Sequence, residues 1–127
     1  MITKDGKVLL AKRKNSHGEG EYSFPGGHLE YGELFEACAK RETKEETGIN
    51  IANIKFQYLA NIKKYGETHY VHIGLTADWE QGNPEILEPE KSGPWEWYEL
   101  NNLPSPIFES CRLAVEAEVT GQKMFDS

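Results

Sequence analysis

Residues 33–47 contain neither glycine nor proline, and Gly32 and Gly48 close the segment at its two ends. A glycine directly after such a run suits the left-handed residue that terminates a helix. The spacing therefore predicts one helix of about four turns from Glu33 to Thr47. Just ahead of it, Pro25-Gly26-Gly27 forces a tight turn. This turn–helix unit constrains the fold most, because a helix of that length needs a partner layer to cover one of its faces.

Strand signals supply that layer. Lys7 to Lys12 (KVLLAK) follows an Asp5-Gly6 turn and reads as a buried strand, and Ser16 to Gly20 reads as a flexible loop. Further strands are expected at Ile54 to Ala60, at His69 to Ala77, where Tyr70, Val71, Ile73 and Leu75 are β-formers, and at Trp95 to Tyr98. A last helix is expected from Pro106 to Val119, with Ile107, Cys111, Ala114 and Val115 on its core face. Strands interrupted by two helices imply a layered α+β sandwich in one domain spanning residues 1–127.

The long helix also carries the chemistry. Glu42, Glu45 and Glu46 stand at i, i+3 and i+4, which confines three carboxylates to one face. Counted from Leu34, they continue the stripe of Leu34 and Cys38 and should point toward the protein body, with Glu36, Lys40, Thr43 and Lys44 on the solvated side. Like charges this close raise each other's pKa and destabilise a helix unless a cation neutralises them. An all-oxygen cluster suits Mg²⁺ or Mn²⁺ rather than zinc. By itself, ExxEE is more often an ordinary surface of Glu/Lys pairs.

Its surroundings decide otherwise. Gly27, then Glu33, Arg41-Glu42-Thr43, Glu45-Glu46 and Gly48-Ile49, at these intervals, resemble the Nudix box. Thr43 departs from the box, which usually has an aliphatic residue there. The stretches SFPGGHLEYGE, EACAKRETKEE and EPEKSGPWEW resemble the MutT-like nucleoside triphosphate diphosphatases, in particular the animal subgroup acting on oxidised and thiolated purine nucleotides. The resemblance implies an α/β/α sandwich with a mixed sheet. It also implies Mg²⁺ or Mn²⁺ held by Glu42, Glu46 and the Gly26 carbonyl, with Glu45 ligating a further metal or orienting the attacking water. Arg41 and Glu33, two turns apart on the helix, would keep the carboxylates in register, and Glu90 would add a carboxylate to the metal site.

On the same grounds, Arg13 and Lys91 would contact phosphates. Gly27 and His28 would lie against substrate, His72 near the base pocket, and Phe108 would offer a ring for stacking. For Arg13 and Lys91 an exposed cation is an equally good reading, as is a structural histidine for His28, whereas an aromatic spaced like Phe108 is more often simply core.

The expected activity is cleavage of a diphosphate linkage, releasing a nucleoside monophosphate and pyrophosphate from a purine (d)NTP. Hydrolysis of ADP-ribose, nucleotide sugars or dinucleoside polyphosphates is the alternative, and a non-catalytic nucleotide-binding domain is another. No proline occurs between Gly48 and Gly82, where ADP-ribose hydrolases of the family commonly carry one, and Tyr65 weakly favours the dinucleoside class.

The net charge of −7 argues against a nucleic-acid polymer as partner, since backbone phosphates are bound by clustered Lys and Arg. No apolar stretch long enough for a membrane span and no signal-peptide pattern occur, so a cytoplasmic protein is expected. Cys38 and Cys111 have no zinc-type spacing and read as buried helix residues. Only Met1 to Lys4 precede the Asp5-Gly6 turn, so the usual first strand is shortened or missing. Met1 to Lys4 are expected still to pair with the sheet, and two chains to associate through an apolar and aromatic surface as a homodimer.

Overall fold

The computed structural model describes residues 1–126. Its elements run β1 (Ile2–Lys4), β2 (Lys7–Lys12), β3 (Tyr22–Ser23), α1 (Phe35–Thr47), β4 (Asn50–Ile62), β5 (Tyr70–Gln81), β6 (Glu96–Glu99), α2 (Glu109–Thr120) and β7 (Met124–Asp126). Asp5 and Gly6, both at positive φ, fold β1 back onto β2, with Thr3 opposite Val8. Strand β1 also pairs in parallel with β5, Ile2 opposite Ala77. Residues Ile2 to Lys4 thus pair with the sheet as expected, a short first strand of three residues that joins β2 to β5.

The strand order is β3-β2-β1-β5-β4-β7, and β6 lies along β2 with Leu9 opposite Trp97. Strands β4 and β7 run parallel and β4 and β5 antiparallel, so the sheet is mixed. Both long strands exceed the expected segments. Their register shifts between Ala52 and Lys55 and between Phe56 and Tyr58 break the simple alternation that would mark a strand in sequence.

Strand β2 sorts the core into two layers. Leu9 and Ala11 pack with Ile49, Ile51, Trp95 and Ala39 of α1, whereas Val8 and Leu10 pack with Cys111 of α2. Alternate residues face opposite sides of a sheet, so the two helices cover opposite faces. This is the expected sandwich. Burial on both faces explains why KVLLAK is a continuous apolar run. On the α2 side, Tyr58, Ala60 and Ile62 meet Leu113, Ala114, Ala117 and Phe125. Truncating a buried leucine such as Leu113 to alanine costs about 2–5 kcal/mol in such a setting.

Both helices start later than expected. Leu34 is extended (φ −76°, ψ 151°), so α1 begins at Phe35 and ends at Gly48 in the left-handed region. Helix α2 begins after Phe108, and its buried residues are Ser110, Cys111, Leu113, Ala114 and Ala117, with Ile107 and Val115 only partly covered. Cys38 is likewise half-buried, and Cys111 is fully buried. Among the described residues no helix is long and apolar enough to cross a membrane.

Candidate active site

The face that α1 turns inward is not the one counted from Leu34. Leu34 precedes the helix and is 74% exposed, while Thr43 and Thr47 are buried and Ala39 packs on the core. Thr43, placed on the solvated side by sequence, is therefore an inward residue. Threonine suits the position because the Thr47 hydroxyl donates to the Thr43 carbonyl (2.7 Å) and accepts the Ile49 N–H (3.2 Å) as the helix ends. With this rotation Glu42 and Glu46 flank the buried face, and Glu45 is exposed.

The Gly26-Gly27 turn lies against these carboxylates. Gly26 N–H donates to Glu46 Oε1 at 2.9 Å, and a Cβ at Gly27 would collide with the Glu42 carboxylate. Only glycine permits that approach. Burial, together with the nearby Glu42 and Glu88, pushes the Glu46 carboxyl up to about 8, against the opposing pull of the Gly26 N–H.

Arg41 organises the rest. Its Nε and Nη2 donate to Glu33 Oε2 (2.7 Å) and Oε1 (3.0 Å), its Nη1 to Glu42 Oε1 (2.7 Å) and Glu45 Oε2 (3.2 Å), and Nη2 also to the His28 carbonyl (3.0 Å). The Arg41 guanidinium holds Glu33 at about 2. Glu33 belongs to the loop before α1 rather than to the helix, in a turn closed by its N–H on the Glu30 carbonyl (3.0 Å). The pairing thus ties the glycine loop to the helix.

The remaining residues singled out by sequence are scattered more widely. Arg13 is brought in: its guanidinium lies 4.0 Å from the centroid of the Phe108 ring, its Nε donates to the His17 carbonyl (3.0 Å), and it senses Glu46 electrostatically. Glu90 is exposed, and its carbonyl accepts from the Asn15 amide (2.7 Å). Glu88, which sequence reasoning passed over, is the acid of that loop whose charge acts on Glu46. Lys91 is exposed and pairs with Glu88 at 3.5 Å. His28 is exposed beside Tyr70. His72 packs on Tyr58 with ring centroids 5.6 Å apart, and burial pushes its imidazole down to about 4. Phe108 stacks on Tyr65 at 4.7 Å.

Among the described residues no three acidic, histidine or cysteine side chains converge tightly enough to hold a cation, and Arg41 and the Gly26 N–H engage the carboxylates. The donor set nevertheless fits a hard divalent cation. It is all oxygen, and Glu46 carries the cost of burial and of the charges on Glu42 and Glu88, which a cation would relieve.

Residues 1–114 match the NUDIX domain. The chain belongs to that family. It is 35% identical over 111 residues to an ADP-ribose pyrophosphatase of Methanocaldococcus jannaschii, covering 86% of this chain and 64% of the relative. It is 31% identical over 111 residues to the oxidized purine nucleoside triphosphate hydrolase of Danio rerio (82% and 65%), and 31% over 122 residues to the NAD-capped RNA hydrolase NudC of Vibrio atlanticus (93% and 43%). The chain thus spans less than two thirds of these relatives. A MutT NUDIX hydrolase from Burkholderia pseudomallei superposes with a TM-score of 0.77 at 28% identity, over 91% of this chain and 90% of that one. The NUDIX fold is thereby shown. The animal subgroup is one of several related groups and is not singled out.

Proposed function

We propose that this NUDIX domain hydrolyses a diphosphate linkage in a nucleotide, with Mg²⁺ or Mn²⁺, and that a purine (d)NTP is its preferred substrate. The observation that carries the reading is the approach of the Gly26-Gly27 turn to Glu42 and Glu46, which leaves two carboxylates and a backbone turn facing one place. The names of all three relatives carry a nucleotide in common.

Glu42, Glu46 and the Gly26 carbonyl would hold the metal ion, which when bound neutralises phosphate charge and acidifies water. Exposed Glu45 would hold a further ion or take the proton of the attacking water. Arg41 and Glu33 position these groups, and Arg13 and Lys91 would face the phosphates. Glu88, whose charge acts on Glu46, is a better candidate than the exposed Glu90 for an additional carboxylate.

Hydrolysis of ADP-ribose is the second reading, favoured by the 35% identical relative. A screen of the protein with Mg²⁺ separates them. Pyrophosphate and dGMP from dGTP at a higher kcat/KM support the first reading, and faster release of AMP from ADP-ribose supports the second. No product from any nucleotide overturns both. The exposed Phe56, Val71 and Met124 on the sheet are consistent with a homodimer, which light scattering coupled to gel filtration tests.

A further inference from the structure

Beside Arg13 and away from the carboxylate helix, rings from four segments meet on a partly exposed surface. They are His17 of the β2–β3 loop, Tyr65 of the β4–β5 turn, Tyr70 of β5 and Phe108 at the entry to α2. Tyr65 and Phe108 stack on each other at an interplanar angle of 13°, and the Arg13 guanidinium lies 4.0 Å from the centroid of the Phe108 ring. Phe108 is thus engaged from within the protein. His17 differs: its centroid lies 5.5, 5.0 and 6.0 Å from Tyr65, Tyr70 and Phe108, at angles of 48°, 36° and 38°, so none of the three stacks parallel to it.

The loop is shaped to bring His17 there. Gly18 has φ +74°, and a Cβ on it would meet the Phe108 ring at 2.6 Å, so the loop closes down on the aromatic group only with glycine at this position. Arg13 Nε holds the His17 carbonyl at 3.0 Å. The row also leads back to the carboxylates, because Tyr70 lies 6.4 Å from His28, whose carbonyl is bound by Arg41 at 3.0 Å. A molecule with its phosphates at Glu42 and Glu46 could lay an aromatic end along this row.

We propose that His17 is the residue on which the aromatic base of the substrate stacks, with Tyr70 orienting its ring. The inference rests on the nucleotide reading above. Tyr70 Oη and His17 Nδ1 are 3.4 Å apart, a contact that helps fix the plane of a neutral imidazole on which a base can lie. Partial burial and the Arg13 charge lower the His17 pKa, which favours that neutral form.

Calorimetric binding of dGMP and ribose 5-phosphate in Mg²⁺ tests this without requiring turnover. The wild-type protein should prefer dGMP, and His17→Ala should reduce the dGMP to ribose 5-phosphate affinity ratio by at least about fivefold, the lower end of a base–aromatic stack. His17→Phe, which keeps a ring, should restore most of the ratio. Equal wild-type affinities, or a ratio unmoved in His17→Ala, would overturn the assignment. Base-dependent binding that disappears in His17→Ala supports it even if no nucleotide is hydrolysed, and turnover without base-dependent binding sinks this inference alone.

Discussion

Arg41 grips Glu33 through two parallel bonds, Nε to Oε2 at 2.7 Å and Nη2 to Oε1 at 3.0 Å, across the junction between the glycine loop and α1. The same guanidinium reaches Glu42 and Glu45. A fork of this kind needs the planar geometry of arginine, and an ammonium supplies charge without the fork. Arg41→Lys should therefore lower kcat by about 10–100-fold, as loss of a group orienting metal ligands does, with a smaller change in KM. Steady-state kinetics check this, and wild-type kcat in the lysine variant would remove Arg41 from the positioning role.

Gly27→Ala should lower kcat by at least about tenfold while moving the melting temperature by only a few degrees. The new Cβ meets the end of the flexible Glu42 side chain rather than backbone, so the carboxylate is displaced and the fold survives. Circular dichroism melting and kinetics on the same sample separate the two effects. A folded, fully active variant would contradict the close approach.

Divalent cations should raise the melting temperature of the wild-type protein, because binding to the folded state alone stabilises it by mass action, about 2.7 kcal/mol at a hundredfold excess over Kd. The increment should shrink in Glu46→Gln. A melting temperature indifferent to both Mg²⁺ and Mn²⁺ would count against the ligand set.

His72 gives a pH prediction of definite sign. Its folded pKa, near 4, lies below the ordinary 6.5, so the unfolded chain binds the extra proton in that window. Stability from keeping His72 neutral is fully present above pH 6.5 and is lost as pH falls toward 4, an effect on the order of 1–3 kcal/mol. Between pH 7 and 5 the melting temperature should fall less steeply in His72→Gln than in wild type. Parallel profiles would contradict the burial of a neutral imidazole.

Glycine and proline punctuation makes α1, the Asp5-Gly6 turn and β2 legible in the amino-acid sequence, because those signals act within a few residues. The helix phase is less legible. Counting from Leu34 places Thr43 outside, yet Leu34 is an exposed residue ahead of the first turn, so that wheel is anchored on a position that never faces the core. The ion pairs of Arg41 are partly readable from spacing, although the loop position of Glu33 is not. Nothing local to Arg13, His17, Tyr65, Tyr70 and Phe108 announces that they meet. They come from separate segments joined only by the strand order, and their proximity is a tertiary fact. Glu88 escapes a sequence reading that favours Glu90 for the same reason, since the Asn15 bond to the Glu90 carbonyl, which helps fix that loop, spans 75 residues.

The most direct measurement is pyrophosphate release from dGTP in Mg²⁺ by the wild-type protein and by Glu46→Gln, each shown to be folded by its melting curve. The substitution removes one charged oxygen ligand and keeps the shape, so turnover should fall by at least about 100-fold, at the upper end of what loss of metal support costs. A folded Glu46→Gln protein that releases pyrophosphate at the wild-type rate would contradict the assignment of this helix as the metal-binding and catalytic element.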